Sequence, residues 1–394
     1  MDIDFIDGEW WGRDPQEELT WLRHHDPVHW DGRVWGVTRH ADVRDVATRP
    51  EVFSNAGGIR PEQGPVAQLI DLDAPQHLLR RKLVGAGFTP RRVVEQEARV
   101  LELTDAILDR VCERGECDLV RDVAAWLPIE VIGQALGFAH EDFSTLLEWS
   151  DTLMSALVGI QDEELMARVG DAFGGYVAYV SGAIEERRET PTDDLLSILV
   201  HAEVEGQRLT DDQVLHDSLL ILTGGDETSR HVMSGGIYQL LADRDQWERL
   251  RADRSLLPSA VEEMLRWVSP IRNMARQATQ DVELRGKTIE KGQKLLLLYP
   301  SANRDEEVFA DPFRFDVART PNEHLAFGVG PHFCLGSALA RVEVRTMLDR
   351  VLERLPDLEL VSPAEPRWRP ANFVSGYESL PVRFTPTAPV GRAG

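Results

Sequence analysis

Cys334 is the side chain with the sharpest chemical meaning in this sequence. It follows a loop punctuated by Gly328, Gly330 and Pro331, and Leu335, Leu339 and Val342 recur at helical spacing directly behind it. A cysteine where a loop becomes a helix meets free backbone N–H groups and the positive end of the helix dipole, and both favour a thiolate. Gly328, Gly330 and Gly336 leave room for a bulky flat group against the backbone. Phe327 and His332 stand beside them. Together these residues point to a thiolate ligand for an iron macrocycle. A buried structural cysteine beside a tight turn is the plainer alternative, and the company Cys334 keeps argues against it.

A second constellation lies in Thr223-Gly-Gly-Asp-Glu-Thr-Ser229, in the middle of a long apolar helical pattern. Two adjacent glycines inside a helix cost about 1 kcal/mol each relative to alanine. Acids and hydroxyls follow them at once, and local rules broken in this way tend to mark function. Two smaller sets complete the chemistry. His77 and Arg81, four apart, share one helix face, which suits either a solvated basic surface or the edge of an anionic cofactor. Glu263 and Arg266, three apart, can pair, and a structural pair is the stronger reading of them.

The elements that must hold these residues are mostly helices. Thr210 and Gln213 form a capping box that opens the long helix. Asp73-Ala-Pro-Gln-His77 opens the helix of His77, with Pro75 near its first turn. Residues 92–192 read as helices broken near Gly115, Pro128, Gly137 and Pro191. Two helical patterns in 143–187 join around Gly159. Strands are short: Val28–Trp30 and Val34–Thr38 form a hairpin around Asp31-Gly32, and residues 271–300 alternate, with Arg276 on the first strand. Residues 56–76 form a long loop carrying Val66, Leu69, Ile70 and Leu72, and a loop of that length in a compact domain is often functional. Asn372–Tyr377 reads as a turn that re-enters the interior. The fold class is mainly α with small β-sheets, in one domain over 1–394.

Composition narrows the partners. The chain of 394 residues carries 67 acidic and 43 basic residues, a net charge of −24, which argues against nucleic acid and anionic membrane surfaces. No window reaches the ~20 apolar residues of a membrane span, and the N-terminus has no basic segment leading into an apolar run. Three cysteines, Cys112, Cys117 and Cys334, make neither a disulfide framework nor a zinc site. A soluble cytoplasmic protein without a membrane anchor is expected.

The motifs then fit one pattern. Phe327-Gly-Val-Gly-Pro-His-Phe-Cys334-Leu-Gly336 matches the haem-ligand signature of the cytochrome P450 family, F-G-x-G-x-H-x-C-x-G, at every fixed position. Gly224-Gly-Asp-Glu-Thr-Ser229 resembles the family's oxygen-activation motif, and Glu263-Met-Leu-Arg266 matches E-x-x-R. Asp73-Ala-Pro-Gln-His77 with Arg81 resembles D-P-P-x-H-x-x-x-R, with Ala74 replacing one proline. All four occur in the family's order. Phe53–Pro61, His77–Leu83, Val111–Cys117, Gly224–His231 and Arg369–Gly376 further resemble the actinobacterial members that oxidise the cholesterol side chain.

The resemblance implies the helix-rich triangular prism of the family and haem b as cofactor. Cys334 is then the iron ligand; His77, Arg81, Arg276 and His332 hold the propionates; Phe327, Gly328, Gly336 and Gly224 border the ring. Glu227 and Thr228 become the proton-delivering pair beside O2. The implied reaction is hydroxylation of the terminal methyl of a steroid side chain, C26 or C27 of cholesterol or cholest-4-en-3-one, with further oxidation to the acid open. Candidate walls are Val66, Leu69, Ile70, Leu72, Leu220, Thr223, Gly224, Val268, Ile271, Phe373 and Val374, each of which equally suits a core. No reductase domain is recognisable, so electrons are expected from a ferredoxin and its reductase, with Arg91, Arg92, Arg341 and Arg345 as a local positive patch. A monomer is expected. Two alternatives stand: terminal hydroxylation of methyl-branched fatty acids or terpenoids, and a haem protein that binds ligands without oxygenating them.

Overall fold

The computed structural model describes residues 3–156, 162–362 and 366–391. Its centre is one helix. Helices used below are α1 (Gln76–Gly85), α2 (Pro90–Asp109), α3 (Trp126–Ala135), α4 (Phe143–Ser155), α5 (Glu163–Glu189), α6 (Asp211–Ala242), α7 (Leu257–Val268) and α8 (Ser337–Arg354). The central one is α6, and its start is set as expected. The Thr210 hydroxyl accepts from the Gln213 amide while the Gln213 side chain accepts from the Thr210 amide. The helix then runs unbroken through Gly224-Gly225 and packs on α3, α7 and α8.

The largest apolar cluster explains that packing. Val232, Met233 and Ile237 of α6 meet Val261 and Met264 of α7, Met347, Leu348 and Val351 of α8, and Leu103 and Ile107 of α2. Each fully buried side chain of this kind contributes about 1.5–3 kcal/mol over leaving it in water. The approach of α7 to α6 depends on two small residues. A Cβ on Gly236 would stand 2.2 Å from Met264 Cε, and one on Gly235 would stand 2.8 Å from Val268 Cγ2. Alanine at either position would force the helices apart.

Five short strands, β1 (Val28–Trp30), β2 (Trp35–Val37), β3 (Phe53–Ser54), β5 (Asn273–Ala278) and β6 (Lys294–Leu298), form a sheet ordered β1-β2-β6-β5-β3. The expected hairpin around Asp31-Gly32 is its β1–β2 edge, with His29 opposite Gly36. Arg276 sits on β5 opposite Leu295 of β6. A second sheet joins β4 (Glu116–Asp118), β7 (Glu359–Leu360) and β8 (Pro381–Arg383) in the order β7-β8-β4. The turn at 372–377 enters the interior: Val374 bridges Ile271, Trp368 bridges Tyr377, and Asn372 and Ser375 are buried.

Three expectations need correction. Pro128 does not break a helix, because it is the third residue of α3, where a backbone N–H has no intrahelical acceptor to lose. A turn of π-helix at Leu119–Ala124, invisible to a 3.6-residue pattern, precedes α3. The helix behind Cys334 begins at Ser337, two residues after Leu335, where its apolar spacing starts. The expected join around Gly159 lies outside the described residues.

Glu263 and Arg266 lie on α7, both fully buried, with Arg266 Nε and NH2 donating to the carboxylate at 2.7 and 2.8 Å. The network extends well beyond the pair. Glu263 also accepts from Arg319 Nε, the Asp316 amide and Asn322, and Arg266 NH1 donates to the Asn303 and Pro312 carbonyls. This network ties α7 to the irregular segment that leads to Cys334.

Candidate functional site

The loop before Cys334 is folded back on itself. The Cys334 amide donates to the Phe327 carbonyl at 2.9 Å, and Gly328 (φ 67°) and Gly330 (φ 78°) take left-handed conformations. Gly330 is fixed twice over, since a Cβ there would lie 2.8 Å from the Ala47 carbonyl oxygen. Cys334 is exposed, yet burial pushes its thiol pKa up. Both follow if the sulfur faces an internal cleft. Hydrogen bonds from the Gly336 and Ser337 amides, with Arg81 and Arg341 nearby, pull the other way. The sulfur is therefore surrounded by the donors a thiolate needs.

Residues far apart in sequence converge on the same cleft. The His77 and His332 rings stack at 3.9 Å between centroids. His332 also bonds the Leu72 backbone, which fastens the long early loop to the cysteine loop. Burial, with His77, Arg276 and Arg81 close by, holds the His332 pKa down to about 2. Burial and Arg81 lower that of His77. Arg81 donates to the Phe333 carbonyl and Arg276 to the Ala275 carbonyl. Burial lowers the pKa of Arg276, and no carboxylate pairs with it among the described residues. His77 Nε2 is buried without a partner. Two arginines and two neutral imidazoles, with Asp73 acting on His77 and Arg276 from a distance but making no ion pair with them among the described residues, fit a dianionic edge.

The second constellation lies on α6. Among the buried residues of this helix, Gly224 is exposed, and a Cβ there would meet nothing within 4 Å. A Cβ at Gly336, behind the cysteine, also meets nothing. Phe327, ahead of the cysteine, packs partly buried against the main core. The Thr228 hydroxyl donates to the Gly224 carbonyl at 2.7 Å. Its neighbour Glu227 is wholly buried. Arg369 NH1 donates to Glu227 Oε1 at 2.5 Å, and Oε2 has no partner. Burial raises the Glu227 pKa, against the pull of Arg369 and Arg230. Asp226, on another side of the helix, is paired with Arg230 at 2.8 Å, and Arg230 reaches on to Asp151.

The expected walls divide. Ile70, Leu72, Leu220, Thr223, Ile271 and Phe373 are partly open, and Val66 is exposed. Leu69 and Val374 are buried; Leu69 joins an apolar cluster with α1 and α6, and Val374 is held by its bridge to Ile271. Val268 departs from the expectation: it ends α7 and is packed against Gly235, two turns along α6 from Thr228. The arginines of the expected positive patch are each neutralised: Arg91 by Glu95, Arg92 by Asp193, Arg341 by Glu262 and Arg345 by Glu97. A strongly acidic chain leaves few arginines unpaired. The sequence reading missed Arg369 and His231, which flank Glu227 only after folding.

A cysteine on a glycine loop, a cluster of two arginines and two histidines, and an unbroken helix carrying an acid and a hydroxyl fit a haem-thiolate oxygenase site. The chain belongs to the cytochrome P450 family, whose profile matches residues 152–362. It is 50% identical over 391 residues to a steroid C26-monooxygenase of Mycolicibacterium smegmatis, covering 99% of this chain and 98% of that one. A steroid C26-monooxygenase of Mycobacterium tuberculosis is 51% identical over 393 residues, covering 99% of each. Among solved structures, substrate-free CYP109E1 from Bacillus megaterium superposes with a TM-score of 0.89 at 34% identity, over 95% of this chain and 99% of that one. No helix among the described residues is long and apolar enough to cross a membrane.

Proposed function

We propose that the protein hydroxylates the terminal methyl of a steroid side chain, at C26, with cholest-4-en-3-one or cholesterol as substrate class. The observation that carries this is half-identity to steroid C26-monooxygenases along 99% of the chain. The partial exposure of Ile70, Leu72, Leu220, Ile271 and Phe373, all apolar, leaves these candidate walls available to such a substrate. Cys334 would ligate the haem iron, and His77, Arg81, Arg276 and His332 would hold the two propionates. When bound, haem supplies the reductive activation of O2 and the transfer of one oxygen atom into a C–H bond.

The chain's own residues do the rest. The apolar walls exclude water and admit only the chain end near the iron side of the cavity, because a terminal C–H competes poorly with weaker internal ones unless position decides. Thr228 Oγ1, anchored on the Gly224 carbonyl, presents its lone pairs to the open side and can accept and pass on a proton there. Glu227 supplies that proton from its buried carboxyl. Electrons come from a ferredoxin and its reductase docking over the Cys334 face. The same reading has one domain over residues 1–394, acting as a monomer in the cytoplasm.

Cholest-4-en-3-one added to the ferric holoprotein is expected to shift its spectrum towards high spin. A shift with methyl-branched fatty acids and none with sterols would replace the steroid reading.

A further inference from the structure

Arg60 lies in the long early loop, 6% exposed, and its Nε and NH1 find no hydrogen-bond partner among the described residues. Burial lowers its pKa to about 10, so the guanidinium is still charged at neutral pH. A buried cation with two idle nitrogens is costly, and each unmet donor calls for a cause. The ring of Phe373 supplies one. Arg60 Cζ stands 4.1 Å from the ring centroid, so the negative face of the ring takes the place of the missing acceptors. Phe373 itself is partly exposed, whereas its neighbours Asn372 and Val374 are buried.

The remaining nitrogen of Arg60 fixes the backbone that carries the ring. Arg60 NH2 donates to Asn372 Oδ1 at 2.5 Å and to Glu62 Oε1 at 3.1 Å. Asn372 Nδ2 donates to Glu62 Oε1 and, at 2.7 Å, to the Ile6 carbonyl. The Asn372 carbonyl accepts from Asn273 Nδ2 at 2.6 Å, and the Phe373 carbonyl from the Arg272 amide at 2.7 Å. The N-terminal segment closes on the same turn, where a Cβ on Gly8 would lie 2.4 Å from the Pro370 carbonyl oxygen. The loop side is held too. Lys294 Nζ donates to the Arg60 carbonyl at 2.7 Å, and the Ala275 amide of β5 donates to the Ile59 carbonyl at 2.8 Å. Backbone on both sides of the stack is therefore fixed. The turn also abuts α6: Arg369 bonds Glu227, and a Cβ on Gly376 would lie 2.3 Å from His231 Nδ1. His231 is about one helical turn from Thr228, so Phe373 stands on a turn docked next to the oxygenase site.

We infer that Arg60 is a positioning residue for regioselectivity: through its stack on Phe373 and its bond to Asn372 it sets the orientation of that ring, and so decides which carbon of the substrate chain end stands at the reacting centre. A phenylalanine on a turn has several rotamers open to it, and a guanidinium against one face leaves it one. The terminal methyl and its internal neighbour are one carbon–carbon bond apart. A wall displaced by less than that lets the weaker internal C–H compete. Arg60 acts only through Phe373. The inference rests on the terminal-hydroxylation reading above, but not on the substrate being a steroid.

The test uses the holoenzyme with a ferredoxin–reductase pair and reads the ratio of terminal to internal alcohol. The substrate is cholest-4-en-3-one or, where the wild type oxidises no sterol, a methyl-branched fatty acid. Arg60→Met keeps the apolar stem and removes charge and donors, while Glu62 keeps its bond from Asn372. Arg60→Lys keeps the charge without the planar group that stacks. The expected result is a several-fold fall in the ratio for Arg60→Met and a smaller fall for Arg60→Lys, with haem content and Tm close to wild type. Phe373→Leu removes the aromatic face and should also lower the ratio. Adding Arg60→Met to Phe373→Leu should lower it no further, because the ring through which Arg60 acts is gone. An arginine that served the fold alone would lower Tm and leave the ratio untouched. A wild-type ratio in Arg60→Met, or falls that multiply in the double variant, would overturn the inference; if Arg60→Met takes up no haem, a wild-type ratio in Arg60→Lys does the same. Failure of the steroid reading appears separately, as a wild type that oxidises the fatty acid and no sterol.

Discussion

Two buried glutamate–arginine pairs in this molecule have opposite designs. Glu263 and Arg266 are both fully buried, and the network around them is saturated: the carboxylate accepts from Arg266, Arg319, Asn322 and the Asp316 amide, and Arg266 finds backbone carbonyls besides. Glu227 is buried as deeply, but among the described residues it is hydrogen-bonded by Arg369 alone, on one oxygen. A buried charge is costly unless every lone pair is met. The saturated pair spends its hydrogen bonds on holding α7 to the segment before the cysteine loop. The unsaturated one keeps a carboxyl at raised pKa with a free oxygen, the arrangement a proton carrier requires. Saturation, more than burial or charge, separates the structural pair from the one proposed to carry protons.

The strongest way to break this contrast is Glu263→Ala. It strands two buried guanidinium groups, Arg266 and Arg319, and should cost roughly 3–5 kcal/mol of stability. Thermal unfolding and haem content report it; a holoprotein of wild-type Tm would remove the structural role. Next comes Glu227→Gln, isosteric but without an exchangeable acid. Turnover should fall on the order of 100-fold while Tm changes little, because Arg369 is partly exposed and can hydrate. An equal loss of stability in both variants would erase the distinction. Thr228→Ala should follow, with product per electron pair down about tenfold and peroxide rising to match; unchanged coupling would remove the hydroxyl from the proton route.

The smallest expected effect concerns a third buried acid. Glu343 on α8 faces α6, where Ser229 bonds it, and burial pushes its carboxyl up to about 8. Between the ordinary value of about 4.3 and about 8, the folded protein keeps a proton that the unfolded chain has released. Stability therefore falls as pH rises through that window. Glu343→Gln should flatten the dependence of Tm on pH between pH 5 and pH 8. A slope identical to wild type would show that Glu343 is ionised throughout.

What was legible in the sequence was what lies close together along the chain. Phe327 to Gly336 sit in one decapeptide, and Glu263 and Arg266 share one helical turn, so spacing alone predicts their geometry. The capping box at Thr210 and Gln213 was readable for the same reason. Arg369 reaches Glu227 across 142 residues, and Arg319 reaches Glu263 across 56, so neither contact leaves a local trace. His231 resembled one more polar residue on a long helix until folding set it against Gly376. Val268 shows the opposite failure: its apolar type suits a pocket wall or a core equally, and only the approach of α7 to Gly235 decides for the core.

The most direct test is product analysis. The holoenzyme, cholest-4-en-3-one, O2 and a ferredoxin–reductase pair are incubated, and the steroid products are separated and identified. The predicted result is a side-chain alcohol at the terminal carbon C26, dependent on the reductant and lost in Cys334→Ser. A product hydroxylated on the ring system, or no steroid product while a methyl-branched fatty acid is oxidised at its end, would contradict the account.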